Sequence, residues 1–300
     1  MDQQQLITFE TIVHEGSFSR AALVLNVSQA AISGRIQALE RELSAPLFLR
    51  GGRRVVLTEA GESFLPYARR ALAVLAEGVE AASGARSGQH GRVTIGAVDS
   101  ISDGLLVPVV ARYRVTHPSV RLSVRTGHTP QILRELADGI VRLGLITWGY
   151  LTGTVEVEVL ARFREPLVAI VAPAHPLARR ATVTVAEVID GGRPYLETVW
   201  GTSDDARIAP TSGRDWDENE LPHGLMHQLI LRGSGSGFLP ETLVRDDLAD
   251  GRLIALPISD APNLTRELAL VRHADGSALP TAVTDFVDLL LQETARMRMG

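Results

Sequence analysis

Two short helical patterns separated only by the turn at Asn26-Val27 constrain this chain more than any other feature. Ser28 is a good N-cap. After it, apolar residues recur at Ile32, Ile36, Leu39 and Leu43. At about 100° per residue these four fall on one narrow stripe, which predicts a helix from Ser28 to about Leu43 with one face turned inward. Opposite the stripe lie Ala30, Gly34, Gln37 and Arg41, with Gln29 and Ser33 flanking the exposed face near the N-terminal end. Upstream, Leu6, Phe9, Ile12 and Val13 recur at helical spacing until Gly16 breaks them. Ser17 or Ser19 then caps a second helix through Ala21, Ala22 and Leu25.

Two short helices with a tight turn, the second amphipathic, form a helix-turn-helix, whose second helix fits the major groove of B-DNA. Glutamine can bond adenine through two hydrogen bonds, and serine can bond a base or a phosphate. Beyond Pro46, the apolar runs Leu47 to Arg50 and Val55 to Leu57 flank Gly51-Gly52-Arg53-Arg54, the pattern of a hairpin. A wing there would bring its arginines to phosphates or a minor groove. The DNA-facing set is Ser28, Gln29, Ser33, Arg35, Gln37, Arg50, Arg53, Arg54 and Thr58. A three-helix cap with a solvated arginine turn fits the helical pattern alone about as well.

Thr58-Glu59-Ala60-Gly61-Glu62 opens a long helical stretch that ends in a Gly- and Ser-rich run at 83–91, the best domain boundary in the chain. The texture then changes. Val93 to Ala97 reads as a strand, Leu105 to Arg114 as a helix, Val120 to Val124 as a strand, Pro130 to Ala137 as a helix and Leu143 to Thr147 as a strand. A second run covers Leu167 to Val171, Val185 to Ile189, Leu221 to Leu231, Leu239 to Leu248 and Leu253 to Leu256, closed by a strand at Glu267 to Val271 and a helix at Ala282 to Met297. This alternation implies an α/β domain with a parallel sheet covered by helices. Three hundred residues, 45% of them hydrophobic, allow two or three domains.

The net charge of −5 argues against coating nucleic acid indiscriminately, not against a local basic surface. With no cysteine, thiol redox sensing and cysteine-ligated metal are excluded. The N-terminus has neither a basic nor an apolar signal region, and no apolar run nears the roughly 20 residues of a membrane span, so a cytoplasmic location is expected.

The residues themselves narrow the choice. Phe18-Ser19-Arg20-Ala21-Ala22, Leu25 through Ser33, Ile36-Gln37-Ala38-Leu39-Glu40, Pro46 through Arg50 and Leu57 through Gly61 resemble the N-terminal signature of LysR-type transcriptional regulators in order and spacing. Gly91 to Gly96, His175-Pro176-Leu177-Ala178 and Gly233 to Pro240 are similar to later landmarks of that family. The resemblance implies a winged helix-turn-helix at 1–57, a linker and dimerisation helix with hinge at 58–91, and an effector-binding domain at 92–300. That domain would be two-lobed, like a periplasmic binding protein, with lobe one at 92–162 and 268–300 and lobe two at 163–267. It also implies promoter DNA as partner, a homodimer or homotetramer, and no cofactor. The chain departs from the family pattern at Ala30, where proline is common, at Gly34, where arginine is common, and at Arg142, which replaces an aspartate.

Ligands of such lobes bind beyond the C-terminal ends of strands. Those ends lead into Asp99-Ser100-Ile101-Ser102, His128 and Trp148, with Trp200 and Thr202 on a facing loop of lobe two. The eight are the effector candidates. A helix is expected to begin at Asp99–Ser102, and free backbone N–H groups near Ser100 and Ser102 suit a small organic or aromatic acid, whereas the Asp99 carboxylate at the rim suits an amine or His128 instead. By the family resemblance, Ser100 and His128 occupy effector-contact positions. Two other readings compete: an enzyme, or a cytosolic small-molecule receptor with an unrelated helical cap. His223 and His227 have metal-binding spacing but no third ligand, and the Gly233–Gly237 run lacks the Lys-Ser/Thr of a phosphate loop.

Overall fold

The computed structural model describes residues 1–49, 55–84, 91–149, 155–191, 194–196, 221–261, 263–274, 276 and 278–299, with backbone alone at 77 and 80–84. It divides into two units, Met1–Gly91 with Arg134–Val141, and Arg92–Leu133 with Arg142–Gly300.

In the first unit, α1 (Gln3–Glu15) starts with a reciprocal cap: Asp2 accepts from the Gln5 N–H, and the Gln5 side chain accepts from the Asp2 N–H. Gly16 ends the helix at φ 62°, where a residue without Cβ is unstrained. Ser17, not Ser19, caps α2 (Phe18–Val24). Asn26 takes a left-handed φ of 53° in the turn. Ser28 then caps α3 (Gln29–Leu43) by accepting from the Ala31 N–H at 3.1 Å.

The stripe falls where the spacing puts it. Ile32, Ile36 and Leu39 are buried, and Leu43 packs against the same core. Each fully buried side chain contributes about 1.5–3 kcal/mol. Phe9 anchors this core, its ring 5.5 Å from both Phe48 and Phe64. The hairpin arms pair through Phe48 and Leu57, with the Leu49 N–H donating to the Val56 carbonyl at 2.9 Å. The turn between them, with Arg50, Arg53 and Arg54, lies outside the described residues. Thr58 leads into α4 (Glu59–Gly84), which contains Pro66. A Cβ on Gly61 would strike the Leu47 carbonyl oxygen, so glycine lets this helix lie directly against the hairpin arm.

The second unit opens with β1 (Gly91–Ala97) and α5 (Asp99–Ile101). A π-helical segment at Ser102–Leu106 runs on into α6 (Val107–Thr116). Helical structure thus begins at the loop after β1, as expected, and runs on without a break into the helix expected from Leu105. There follow β2 (Val120–Thr126), α7 (Thr129–Ala137), β3 (Leu143–Thr147), β4 (Val157–Val171), α8 (Val185–Gly191), α9 (His223–Leu231), β5 (Ser236–Pro240), α10 (Glu241–Ala249), β6 (Ile254–Leu256), β7 (Thr265–His273) and α11 (Thr281–Arg296).

The sheet order is β2-β1-β3-β7-β4-β5, with β6 also on β4. It is mixed, which corrects the expected parallel sheet. β1 and β3 are parallel, but β7 runs antiparallel to both β3 and β4, and β4 antiparallel to β5 and β6. The α/β alternation itself stands.

Among the described residues one apolar core gathers Val93, Ile95, Tyr113, Phe163, Leu268 and Phe286. Another gathers Leu167, Val171, Val188, Phe238 and Leu256, with Ile170, Met226, Ile230 and Val244 packed on the opposite face of β4. β4 passes from the first core, at Phe163, to the second, at Leu167, with β7 paired beside it.

Candidate functional site

Helix α3 presents a polar, open face opposite its buried stripe. Ser28, Gln29, Ala30, Gly34, Gln37 and Arg41 are exposed, and Ser33 is half-buried. The Ser19 hydroxyl donates to Gln29 Oε1 at 3.2 Å, so α2 holds one end of the amide nearest the start of α3. Arg35 is engaged inside the unit, donating to Thr8 Oγ1 at 3.3 Å. Thr58 is also committed: its hydroxyl donates to the Pro46 carbonyl at 2.6 Å and accepts from the Gly61 N–H at 3.0 Å.

Sequence reasoning passed over Glu40. Its carboxylate accepts from the Leu47 N–H at 2.8 Å and the Phe48 N–H at 3.4 Å, tying the hairpin to α3. A glutamate beside the apolar stripe, six residues before Pro46, was the available signal.

In the second unit the strand ends meet as expected. The Gly127 N–H donates to the Ala97 carbonyl, and the Thr147 N–H to Thr129 Oγ1 at 3.3 Å. Ser100 therefore sits at the same end of the sheet as His128 and Trp148. His128 is exposed, and its carbonyl accepts from the Gln131 and Ile132 N–H groups at the start of α7. Trp148 lies against β7 through its N–H to the Glu267 carbonyl, and the Arg162 guanidinium stacks 3.8 Å above its ring. Asp99 is exposed and Ser102 half-buried. The Ile101 side chain is fully buried in the first core, so it faces away from the strand ends. The Ile101 and Ser102 N–H groups both donate to the Val98 carbonyl, so those two are not available to an anion. Trp200 and Thr202 lie outside the described residues.

The chemistry at this end of the sheet centres on residues the sequence did not single out. Arg266 of β7 and Glu165 of β4 are directly opposed in the antiparallel ladder. Both are buried, at 4% and 0% exposure. Arg266 Nε lies 2.6 Å from Glu165 Oε2 and a terminal nitrogen 2.5 Å from the same oxygen. The other terminal nitrogen donates to Ser100 Oγ at 2.7 Å. Thr242, at the start of α10, donates to Glu165 Oε1. Gly104 of the π-helical segment lets the Thr242 side chain come close, since a Cβ there would strike Thr242 Oγ1. The four polar groups thus join α5, both connecting strands and α10.

His223, at the start of α9, is near the same groups. Burial, then the Arg266 guanidinium, then His128 push its imidazole down to about 3. His227, one turn on, is taken by Asp247 at 2.6 Å, which separates the two histidines of the sequence pattern. Among the described residues no group of three or more metal-ligating side chains occurs.

The depressed His223 value has a thermodynamic consequence. An unfolded histidine titrates near 6.5, so between about 6.5 and 3 the unfolded chain binds one more proton at this residue. Stability contributed by the neutral imidazole is present above 6.5 and is lost as pH falls towards 3, by up to about 1.4 kcal/mol per pH unit. Urea unfolding at pH 6.0 and 5.0 should show a smaller pH dependence for His223→Gln than for the parent chain. Equal slopes would contradict the placement of His223.

Two family models match the chain. Residues 3–62 match the bacterial regulatory helix-turn-helix protein of the lysR family, and residues 86–295 the LysR substrate binding domain. The chain is 30% identical over 307 residues to the HTH-type transcriptional regulator YwqM of Bacillus subtilis, covering 96% of this chain and 98% of that one. Full-length OxyR of Pseudomonas aeruginosa has a similar structure, with TM-score 0.72, 22% identity and coverage of 98% of this chain and 94% of that one. So does LysG of Corynebacterium glutamicum, solved with bound effector Arg, with TM-score 0.63, 26% identity and 99% coverage of both. The helix-turn-helix and the α/β domain are both accounted for, and the chain belongs to the LysR family of transcriptional regulators, with a DNA-binding domain and an effector-binding domain rather than an enzyme's active site.

Proposed function

We propose that α3 enters the major groove of promoter DNA and reads bases with Gln29, Ser33 and Gln37, while Ser28 and the hairpin arginines Arg50, Arg53 and Arg54 grip phosphates. The observation that carries this reading is the exposed polar face of α3, held in place by the buried stripe behind it. Arg35 and Thr58 support the surface through their bonds to Thr8 and Pro46. No arginine stands at Gly34, so base recognition falls on amide and hydroxyl groups. A two-hydrogen-bond contact to a base is worth about 1–3 kcal/mol.

The functional divisions we assign are DNA binding at 1–57, linker and dimerisation at 58–91, and effector binding at 92–300. Within the last, 92–162 with 268–300 forms one lobe and 163–267 the other. The effector is a small metabolite held where Ser100, His128 and His223 gather around Arg266, with Asp99, Ser102 and Trp148 at the rim; Trp200 and Thr202, outside the described residues, are assigned as contacts from the sequence alone. LysG takes arginine, which carries a carboxylate, and the same class of group suits Ser100 here. The regulator acts in the cytoplasm as a homodimer or homotetramer. No described helix is long and apolar enough to cross a membrane.

Fluorescence anisotropy of the full chain with DNA from upstream of its own coding sequence tests the DNA reading. Specific binding should weaken steeply as salt rises, because phosphate contacts release counterions. Arg53→Ala should lower affinity for specific and shuffled DNA alike and flatten the salt dependence by about one counterion. Loss of sequence preference with affinity intact would contradict the assignment of the hairpin to phosphates.

A further inference from the structure

Ser100 is 1% exposed, and its hydroxyl oxygen accepts a hydrogen bond from Arg266 at 2.7 Å. A guanidinium has only donors, so the Ser100 hydrogen cannot point back at it. Among the described residues that hydrogen meets no acceptor, although a buried hydroxyl ordinarily finds one. Arg266 cannot turn away from this arrangement. Its Nε and second terminal nitrogen lie on Glu165, which is fully buried and held on its other oxygen by Thr242. The carboxylate also balances the guanidinium charge, so the position offers a directed hydrogen rather than a net positive charge.

We propose that Arg266, oriented by Glu165, is a positioning residue that makes Ser100 a fixed hydrogen-bond donor and so sets which effectors the cleft accepts. The matching ligand group is an acceptor oxygen, of a carboxylate or of a carboxamide carbonyl. A protonated amine, which has donors only, is refused at this point. The inference rests on the reading of Ser100 as an effector contact and adds the polarity of that contact and the pair that fixes it.

Probes of one skeleton separate the possibilities. Benzoate, benzamide and benzylammonium, at equal millimolar concentrations and constant ionic strength, are tested for stabilisation of the full chain by thermal shift and for affinity by titration calorimetry. Benzoate and benzamide should bind, with a preference of roughly tenfold or more over benzylammonium, the equivalent of one hydrogen bond. Because Glu165 balances the Arg266 charge, benzoate and benzamide should differ by less than either differs from the amine. Arg266→Lys keeps a donor on Ser100 and a charge beside Glu165, and should preserve the order of the three. The paired substitution Glu165→Gln with Arg266→Gln removes both charges together and gives Ser100 an amide oxygen to donate to. In that variant the preference against benzylammonium should disappear, whereas a merely structural role would weaken all three probes alike. Equal binding of the three by the parent chain, or an unchanged order in the paired variant, overturns the proposal while leaving Ser100 as a contact. Binding of none of them, with the chain folded, overturns the effector reading of Ser100 and the proposal with it.

Discussion

Glu165→Ala should destabilise the second unit by about 3–5 kcal/mol, because it leaves the Arg266 guanidinium buried without its counter-charge. For a unit of this size that corresponds to a fall in Tm of roughly 6–20 °C. The cost comes from the orphaned charge, not from the pair as such. Replacing both residues with apolar side chains of similar volume, as in Glu165→Leu with Arg266→Met, should therefore recover most of the loss. Thermal and urea unfolding of the two variants checks both halves. A single variant within about 1 kcal/mol of the parent would mean that water reaches the pair, and the description of Arg266 as a fixed donor to Ser100 would fail.

Phe9→Ala should be as costly to the first unit. Phe9 is fully buried and its ring touches both the hairpin arm, through Phe48, and α4, through Phe64. Truncating a buried phenylalanine costs about 3–5 kcal/mol, and a core as small as this one holds little in reserve. DNA binding should be lost at physiological temperature. The second unit has its own cores and should keep its unfolding transition. Anisotropy on promoter DNA, with differential scanning calorimetry on the same sample, distinguishes this from general collapse. Retained DNA affinity would show that the aromatic cluster does not hold the DNA-reading surface together.

Local features of the chain were legible in the sequence to the degree that they depend on neighbours along it. The stripe Ile32, Ile36, Leu39 marks α3 because a helix repeats every three to four residues, and Ser28 and Gly16 mark ends because capping is local. The strands β1 and β3 stood out as short runs of mostly apolar residues, broken only by Thr94 and ended by Thr147, and both are buried on both faces from Val93 to Ala97 and from Leu143 to Thr147. β4 was seen only from Leu167. Its first half carries Glu158, Arg162 and Arg164 among apolar residues and has the texture of a loop until β7 pairs with it. That pairing spans about a hundred residues, and no local pattern reveals that the strand arrives antiparallel. The helix start at Asp99 was legible, but its π-helical continuation into α6 was not, because Ser102 and Gly104 interrupt the apolar period there.

The candidate effector site divides in the same way. Ser100, His128 and Trp148 could be placed because each follows a recognisable strand. Arg266, Glu165 and Thr242 could not. A charged residue in a strand ordinarily faces water, and only the register of β4 on β7 turns Glu165 and Arg266 towards each other. Ile101 shows the converse error. Its position beside Ser100 suggested a cleft contact, but helical geometry sends adjacent side chains about 100° apart, and Ile101 turns into the core.

In the proposed function, the outer face of α3 reads DNA sequence. The most direct test is the ratio of affinities for specific and shuffled DNA, measured for the parent chain and for Gln29→Ala at one salt concentration. Gln29 is exposed and carries none of the core, so folding should be unaffected. The ratio should fall by roughly 5- to 150-fold while affinity for shuffled DNA stays constant, the signature of one lost base contact. A ratio unchanged by Gln29→Ala, and unchanged again by Ser33→Ala and Gln37→Ala, would mean that this face of α3 does not read bases.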